Sequence, residues 1–249
     1  MGFGAVLLDL GQTLIAYRQQ GQWPQFLRQR LAELHPLVCQ ALGPVALGPE
    51  ELAAQAAQVI GEGQARSVEQ SGHSWRFAGR LCRALAAAGL QARGEHLAGL
   101  TQAFYQPIRA GTRPYPESAA VLEALRQRGL RLAIITNSPW DTPARLLQGD
   151  LEHCGLGDGC DAFICSGEVA WRKPHPAFML AAARALGVAP AACLVVGDSL
   201  GADIAGARAA GMRSLWVNRE RAARPAGPEP DWEAGSLEGV LEVVGGAGA

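Results

Sequence analysis

The stretch Val6-Leu7-Leu8-Asp9-Leu10-Gly11-Gln12-Thr13-Leu14 constrains this chain most, because an apolar run is delivered onto a lone carboxylate and a glycine. Such a run reads as a strand buried on both faces, the kind that parallel sheets require. In an open α/β sheet the last residue of that strand lies in the crevice beyond the carboxyl ends, where ligands bind. Asp9 is therefore the first candidate for chemistry.

Three later segments repeat the grammar of an apolar run followed by small polar groups. Leu132-Ala133-Ile134-Ile135 leads to Thr136-Asn137-Ser138, and Ala162-Phe163-Ile164-Cys165 leads through Ser166 and Gly167 to Lys173-Pro174. Leu194-Val195-Val196 leads to Gly197-Asp198-Ser199, with Asp203 a little further on. As parallel neighbours these strands bring Asp9, Thr136, Lys173, Asp198 and Asp203 to one rim. Singly, each residue has an ordinary reading. An Asp after a strand is a turn or cap residue, Thr136 a strand-end hydroxyl, Lys173 a solvated charge, Asp198 a loop acid, and Asp203 a stabilising acid in a first helical turn. Their order after four strands gives the set its weight.

That ordered set resembles the haloacid dehalogenase superfamily, over the first fifteen residues and nearly everything from about Arg113 to Asn218. The resemblance implies an α/β fold, with a Rossmann-like doubly wound parallel sheet core (residues 1–15 and 109–249) and an inserted α-helical cap domain (residues 16–108). It implies a Mg²⁺-dependent phosphohydrolase that acts on a small phosphorylated metabolite through an aspartyl-phosphate intermediate. Asp9 would be the nucleophile and would share Mg²⁺ with Asp198 and the Gly11 carbonyl oxygen, with no further cofactor. Thr136 and Lys173 would complete the catalytic set. Phosphate oxygens would be held by both of these and by backbone N–H groups of Leu10, Gly11 and Asn137. Asp203 would anchor Lys173 or a metal-bound water.

There is one departure. The family's phosphatases usually carry a second aspartate two positions after the first, and here Gly11 stands there. That acid protonates the leaving oxygen and then activates water, work worth roughly 10² to 10⁴ in rate. Its absence implies slow hydrolysis, or a leaving group that needs little protonation, such as an acyl or aryl phosphate, or a proton from a cap side chain or the substrate. Two alternatives stand beside this reading. One is a metal-independent 2-haloacid dehalogenase, against which the presence of both Asp198 and Asp203 argues. The other is a catalytically weak phosphate-binding homologue, which Gly11 alone favours.

The 249-residue chain as a whole bounds the answer further. The formal net charge is −1 and the basic residues form no long run, so nucleic acid is not an expected partner and a small-molecule substrate is. No apolar stretch reaches the roughly 18 residues of a membrane span, and Asp9 interrupts the first one too early for a signal peptide. The chain reads as cytoplasmic. Cys39, Cys82, Cys154, Cys160, Cys165 and Cys193 include no C-x-x-C pair and read as free thiols rather than a zinc site.

After Leu14 the apolar spacing turns helical. It predicts one helix from Trp23 to Leu34, ended or bent by Pro36, and others over Pro49–Ile60, from Ser74 to Gly89, and over Glu95–Tyr105 before Pro107. Gly61 to Gly72 reads as a connection. From Pro114 helices and strands alternate: helices open at Pro116-Glu117-Ser118 and span Pro143–Glu152, Pro176–Leu186 and Ala202–Ala210, with a strand over Ser214–Asn218. Arg219 to Pro230 reads as a charged, Pro-rich loop, and only Leu237–Val244 is expected to fold back, as a helix. Arg76, Arg80 and Arg83 read as a solvated helix face. Tyr17, Arg18 and Trp23 are candidate substrate contacts, and His35, His73, His96, His153 and His175 lack metal-ligand spacing.

Overall fold

The computed structural model describes residues 2–17, 23–69, 77–169, 171–221, 223 and 227–246. In chain order the elements are β1 (Ala5–Asp9), β2 (Ile15–Ala16), α1 (Trp23–Glu33), α2 (His35–Leu42), α3 (Pro49–Glu69), α4 (Phe77–Ala87) and α5 (Gly94–Ala110). There follow β3 (Arg113–Pro114), α6 (Ser118–Gln127), β4 (Arg131–Thr136), α7 (Ala144–His153), β5 (Ala162–Cys165) and α8 (Pro176–Leu186). The chain ends with β6 (Cys193–Gly197), α9 (Ala205–Ala209), β7 (Arg213–Val217), β8 (Trp232–Ala234) and α10 (Gly239–Gly246).

Six strands form one parallel sheet in the order β5-β4-β1-β6-β7-β8. The first strand of the chain is thus central, with β4 in register on one side (Leu8 opposite Ile134) and β6 on the other (Leu8 opposite Val196). Alternation across the pleat explains the unbroken apolar runs. Val6, Leu8, Ile134 and Val196 face a core shared with Val121, Leu125, Leu147 and Val240. Leu7, Ile135 and Val195 face the other way, onto Phe178, Met179 and Ala182 of α8. Helices cover both faces, the arrangement that makes a sheet doubly wound. Strand order reverses beside β1, so the crevice at its carboxyl end is the topological switch point.

Between β2 and β3, which pair with each other antiparallel (Ile15 opposite Pro114), lie five helices. The sequence predicts four. The first helix does end just before Pro36, with the break at Leu34, but the proline also opens a helix that the sequence does not show: it occupies the first turn of α2, where its missing N–H costs nothing. Helix α3 runs on to Glu69 through the glycine at 61, a residue that costs only about 1 kcal/mol in a helix. Residues 70–72 of the expected connection, and Ser74, lie outside the described residues.

Helix α5 likewise passes through Pro107 to Ala110. Proline cannot donate to the carbonyl four residues back. The Arg30 guanidinium of α1 supplies the substitute, donating to the Ala103 carbonyl at 3.1 Å and to that of Phe104 at 3.5 Å. Arg80 is also misread by periodicity: it is fully buried, not solvated, and donates to the Ile60 carbonyl at 3.0 Å. Arg83 is half-buried, and Arg76 lies outside the described residues.

The other correction is at the carboxyl terminus. Trp232–Ala234 adds a sixth strand beside β7, held at its entry by Asp231, which accepts from the Ser214 N–H at 2.9 Å. Three residues after a Pro-rich segment give too short a pattern to read as a strand. All six cysteines are free thiols. Among the described residues no helix is long and apolar enough to cross a membrane.

Candidate active site

Asp9 ends β1 and Thr136 ends β4, so the register that pairs Asp9 with Ile135 sets their side chains at one rim. The loop after β5 carries Lys173, and the turn after β6 carries Asp198. Lys173 is held by its neighbours on both flanks. Its N–H donates to Asn137 Oδ1 at 2.9 Å and its carbonyl accepts from Asn137 Nδ2 at 3.0 Å, so the Asn137 amide clamps the backbone of the lysine. The Lys173 ammonium then reaches Asp9 Oδ1 at 2.5 Å, Asp203 Oδ1 at 2.7 Å and the Ile135 carbonyl at 3.2 Å.

Asp203 sits in a single π turn, Leu200–Ile204, that leads into α9, and there it accepts from the Ser199 N–H at 3.1 Å. Its carboxylate packs directly on Gly197. A Cβ at 197 would stand 2.3 Å from the Asp203 carboxyl carbon, so only glycine leaves room for this acid behind the lysine. Asp198 is fixed through its backbone, its carbonyl accepting from Trp216 Nε1 at 2.8 Å. Ligand oxygens of Asp9, Asp198 and Asp203 all lie within 4.8 Å of one another.

Three carboxylates therefore face one buried ammonium. Burial, reinforced by repulsion from Asp203 and Asp198, outweighs Lys173 and pushes the Asp9 carboxyl up to about 8. Burial and then Asp203 raise Asp198 to about 6. Burial alone would favour neutral Lys173, but the carboxylates of Asp203 and Asp9 outweigh it and hold the amine above its ordinary value, as an ammonium. The cluster is short of positive charge on the side of Asp198.

These groups open on a cavity of about 350 Å³ whose lining includes Asp9, Gly11, Thr136, Asn137, Lys173 and Asp198. The sequence brings four distant segments to that rim, and the structure gathers all the candidates Asp9, Gly11, Thr136, Asn137, Lys173, Asp198 and Asp203 there. Leu10 is fully buried, its carbonyl accepting from the N–H groups of Leu14 and Ile15 at 3.0 Å each. Tyr17 lines the cavity too, whereas Arg18 and the Trp23 side chain lie outside the described residues. A wider surface groove between α1 and α3, about 780 Å³, is lined by Gln25, Arg28, Gln29 and Glu50 and has no buried polar cluster.

Several residues at or behind the site escape sequence reasoning. Thr13 donates from Oγ1 to Asp9 Oδ2 at 3.2 Å, leaving each carboxylate oxygen with one protein donor. Gln12 has a left-handed backbone, φ +63°, that a residue other than glycine rarely adopts. It is held there from outside: Arg219 donates to the carbonyls of Gln12 (3.2 Å) and Thr13 (2.9 Å), and Tyr115 Oη donates to Gln12 Oε1 (2.9 Å). Trp140 and Arg172 also line the cavity. The available signal was proximity, since Thr13 and Gln12 belong to the first motif and Arg172 precedes Lys173.

A doubly wound parallel sheet with an acidic and cationic cluster at its switch point defines an α/β protein whose ligand site lies at the strand ends. Residues 3–211 match the family described as haloacid dehalogenase-like hydrolase, and the chain belongs to that family. It is 40% identical over 144 residues to a phosphoserine phosphatase of Thermus thermophilus, covering 57% of this chain and 55% of that protein. It is 35% identical over 132 residues to an (S)-2-haloacid dehalogenase of Pseudomonas sp. (strain YL), covering 52% of this chain and 54% of the relative. The chain thus spans about half the length of these relatives. A solved 2-haloacid dehalogenase from Pseudomonas syringae pv. Tomato superposes with a TM-score of 0.69 at 26% identity, over 98% of both chains.

Proposed function

We propose that the protein is a Mg²⁺-dependent phosphohydrolase of small phosphorylated metabolites, with Asp9 as nucleophile. The observation that carries this reading is the rim cluster itself, a carboxylate at the end of the central strand tied to a buried lysine beside two more acids. Phosphoryl transfer needs in-line positioning and charge neutralisation more than elaborate covalent chemistry. Asp9 attacks phosphorus and becomes the temporary phosphate acceptor. Lys173 and the Thr136 hydroxyl, with the backbone N–H groups of Leu10, Gly11 and Asn137, hold the charge on the non-bridging oxygens. Asp203 acts on the lysine, keeping it charged and fixed.

The donor set fits a divalent cation. Three hard oxygen ligands lie within 4.8 Å, facing one ammonium, in a setting that raises both Asp9 and Asp198. Asp9, Asp198 and the Gly11 carbonyl would hold Mg²⁺, which supplies charge neutralisation at the phosphate. Residues 16–108 are the cap of this reading, closing the rim from the side of Tyr17 and Trp140. The relatives named as phosphatases support it.

A dehalogenase reading draws on the relatives of that name and on the absence of an acid at Gly11. It needs neither Asp198 nor a metal. A panel of phosphorylated metabolites with and without Mg²⁺, run beside 2-haloacids, separates the two. Phosphate release that needs Mg²⁺ and is lost in Asp9→Asn supports the phosphatase, and halide release without metal overturns it.

A further inference from the structure

One part of the cavity lining is built of different material from the cluster around Asp9. Tyr17, Pro139, Trp140 and Leu147 form it. The Tyr17 ring lies over Gly11, so close that a Cβ at that glycine would stand 3.2 Å from ring carbons Cδ2 and Cε2. The Tyr17 hydroxyl is turned away, donating to Asp150 at 2.9 Å, and burial, with Tyr105 and Asp150 beside it, holds the phenol well above its ordinary pKa. The hydroxyl is committed as a donor to a carboxylate and presents only its ring to the cavity.

Trp140 is set against the cavity by strain. Its backbone is left-handed (φ +50°, ψ +25°), a conformation that a bulky residue rarely adopts. Packing retains it. The indole is 4% exposed and meets Phe104 of α5 edge-on at 5.5 Å, and Phe104 in turn packs on Phe77 at 4.6 Å. Two aromatic rings held by the helices thus line the cavity.

In an in-line displacement the leaving oxygen lies on the far side of phosphorus from the nucleophile. Among the described residues, the carboxyl groups that line the cavity are Asp9, Asp198 and Asp203, which belong to the rim cluster. Among the other lining side chains, the Asn137 amide is committed to Lys173, and Gln12 and Arg172 carry an amide and a guanidinium that donate hydrogen bonds but do not release protons near neutral pH. General acid catalysis needs a donor whose pKa lies near the working pH.

We infer that the site selects aryl phosphates, with the Tyr17 ring over Gly11 as the specificity-determining element. This rests on the phosphohydrolase reading. The P–O bond to the phenol breaks as a new P–O bond forms to the Asp9 carboxylate, and the electron pair departs on the phenolate, which leaves without a protein-borne proton. Water then attacks phosphorus, the Asp9 carboxylate is released, and the proton passes to phosphate or solvent. The flat apolar leaving group lies between Tyr17 and Trp140, a contact that alkyl polyols cannot make.

The test compares kcat/KM on 4-nitrophenyl, phenyl, 2-phenylethyl and glycerol phosphates with Mg²⁺, using the full chain. The rate on 4-nitrophenyl phosphate exceeds that on 2-phenylethyl phosphate by about 10² to 10⁴, the contribution of the missing acid. The pair differs little in apolar surface, so the ratio isolates leaving-group acidity. Phenyl phosphate falls between, and glycerol phosphate is poorest. Gly11→Asp alone leaves that ratio within about threefold, because the ring crowds the new side chain, whereas Gly11→Asp with Tyr17→Ala narrows it at least tenfold. Equal turnover of 2-phenylethyl and 4-nitrophenyl phosphate overturns the inference and leaves the phosphatase reading standing. Failure to cleave any of the four, with halide release from 2-haloacids, overturns that reading itself.

Discussion

Two buried carboxylate sites, one lining the cavity and the other holding the hydroxyl of Tyr17, are built on opposite plans. At the sheet rim, three acids share one ammonium, and their carboxyl groups border open space. Beneath the helices, Asp150 of α7 is fully buried and saturated: Tyr105 Oη donates at 2.7 Å, Tyr17 Oη at 2.9 Å and Arg109 Nε at 3.1 Å. Burial still raises Asp150, against the pull of its three donors, but nothing is left for a ligand to do. The first cluster has charge to be neutralised and room for the group that neutralises it. The second fastens Tyr17 and α5 to α7 and has neither. A buried acid marks a ligand site when its partners are too few, and a structural joint when they suffice.

The contrast breaks most readily at Asp9. Asp9→Asn keeps shape and removes the nucleophile, and the proposed turnover falls by roughly 10⁴-fold or more while the thermal midpoint changes little. A stopped phosphate-release assay beside a melting curve checks both. Loss of folding in this variant would mean that the rim cluster, too, is a structural joint.

Asp150→Ala tests the other side. It strands the Arg109 guanidinium and two buried hydroxyls, at a cost of about 3–5 kcal/mol, read as a lower denaturation midpoint in urea. A smaller loss would show that water replaces the carboxylate. Mg²⁺ distinguishes the clusters directly. At about 100-fold over its dissociation constant it stabilises the wild type by about 2.7 kcal/mol. Asp198→Asn loses most of that gain, and Asp150→Asn keeps it. An equal Mg²⁺ shift in both variants would show that the cation binds elsewhere.

The smallest effect concerns the helices alone. Arg30→Met leaves the Ala103 carbonyl opposite Pro107 without its donor and costs about 1 kcal/mol, with turnover unchanged. Pro107→Ala in the same background restores the helix's own donor and recovers most of the loss. Additive rather than compensating changes would detach Arg30 from the proline.

How much of this was legible in the sequence follows from the range of each interaction. The strands were readable because burial on both faces of a parallel sheet forces continuous apolar runs, as in Val6-Leu7-Leu8 and Leu194-Val195-Val196. The rim candidates were readable because Asp9, Thr136 and Asp198 follow such runs closely and Lys173 and Asp203 come a few residues further on. The helical region was less so. Arg80 looks like a surface charge by periodicity, yet it caps a carbonyl of another helix, as Arg30 also does. Pro107 looks like a stop signal because the residue that compensates for it, Arg30, lies on α1, four helices earlier in the chain. Trp232–Ala234 was too short to show a period, and its place as an edge strand depends on β7 being there.

By itself the sequence determined that a carboxylate would end a buried strand and that lysine and two further acids would follow later strands. It also determined that position 11 would carry no acid, since glycine has no side chain in any fold. Only the tertiary structure decided what stands in that place. Local patterns encode period and polarity, but whether a ring six residues on turns back over Gly11 is set by Asp150, more than 130 positions away, through a hydrogen bond to the Tyr17 hydroxyl.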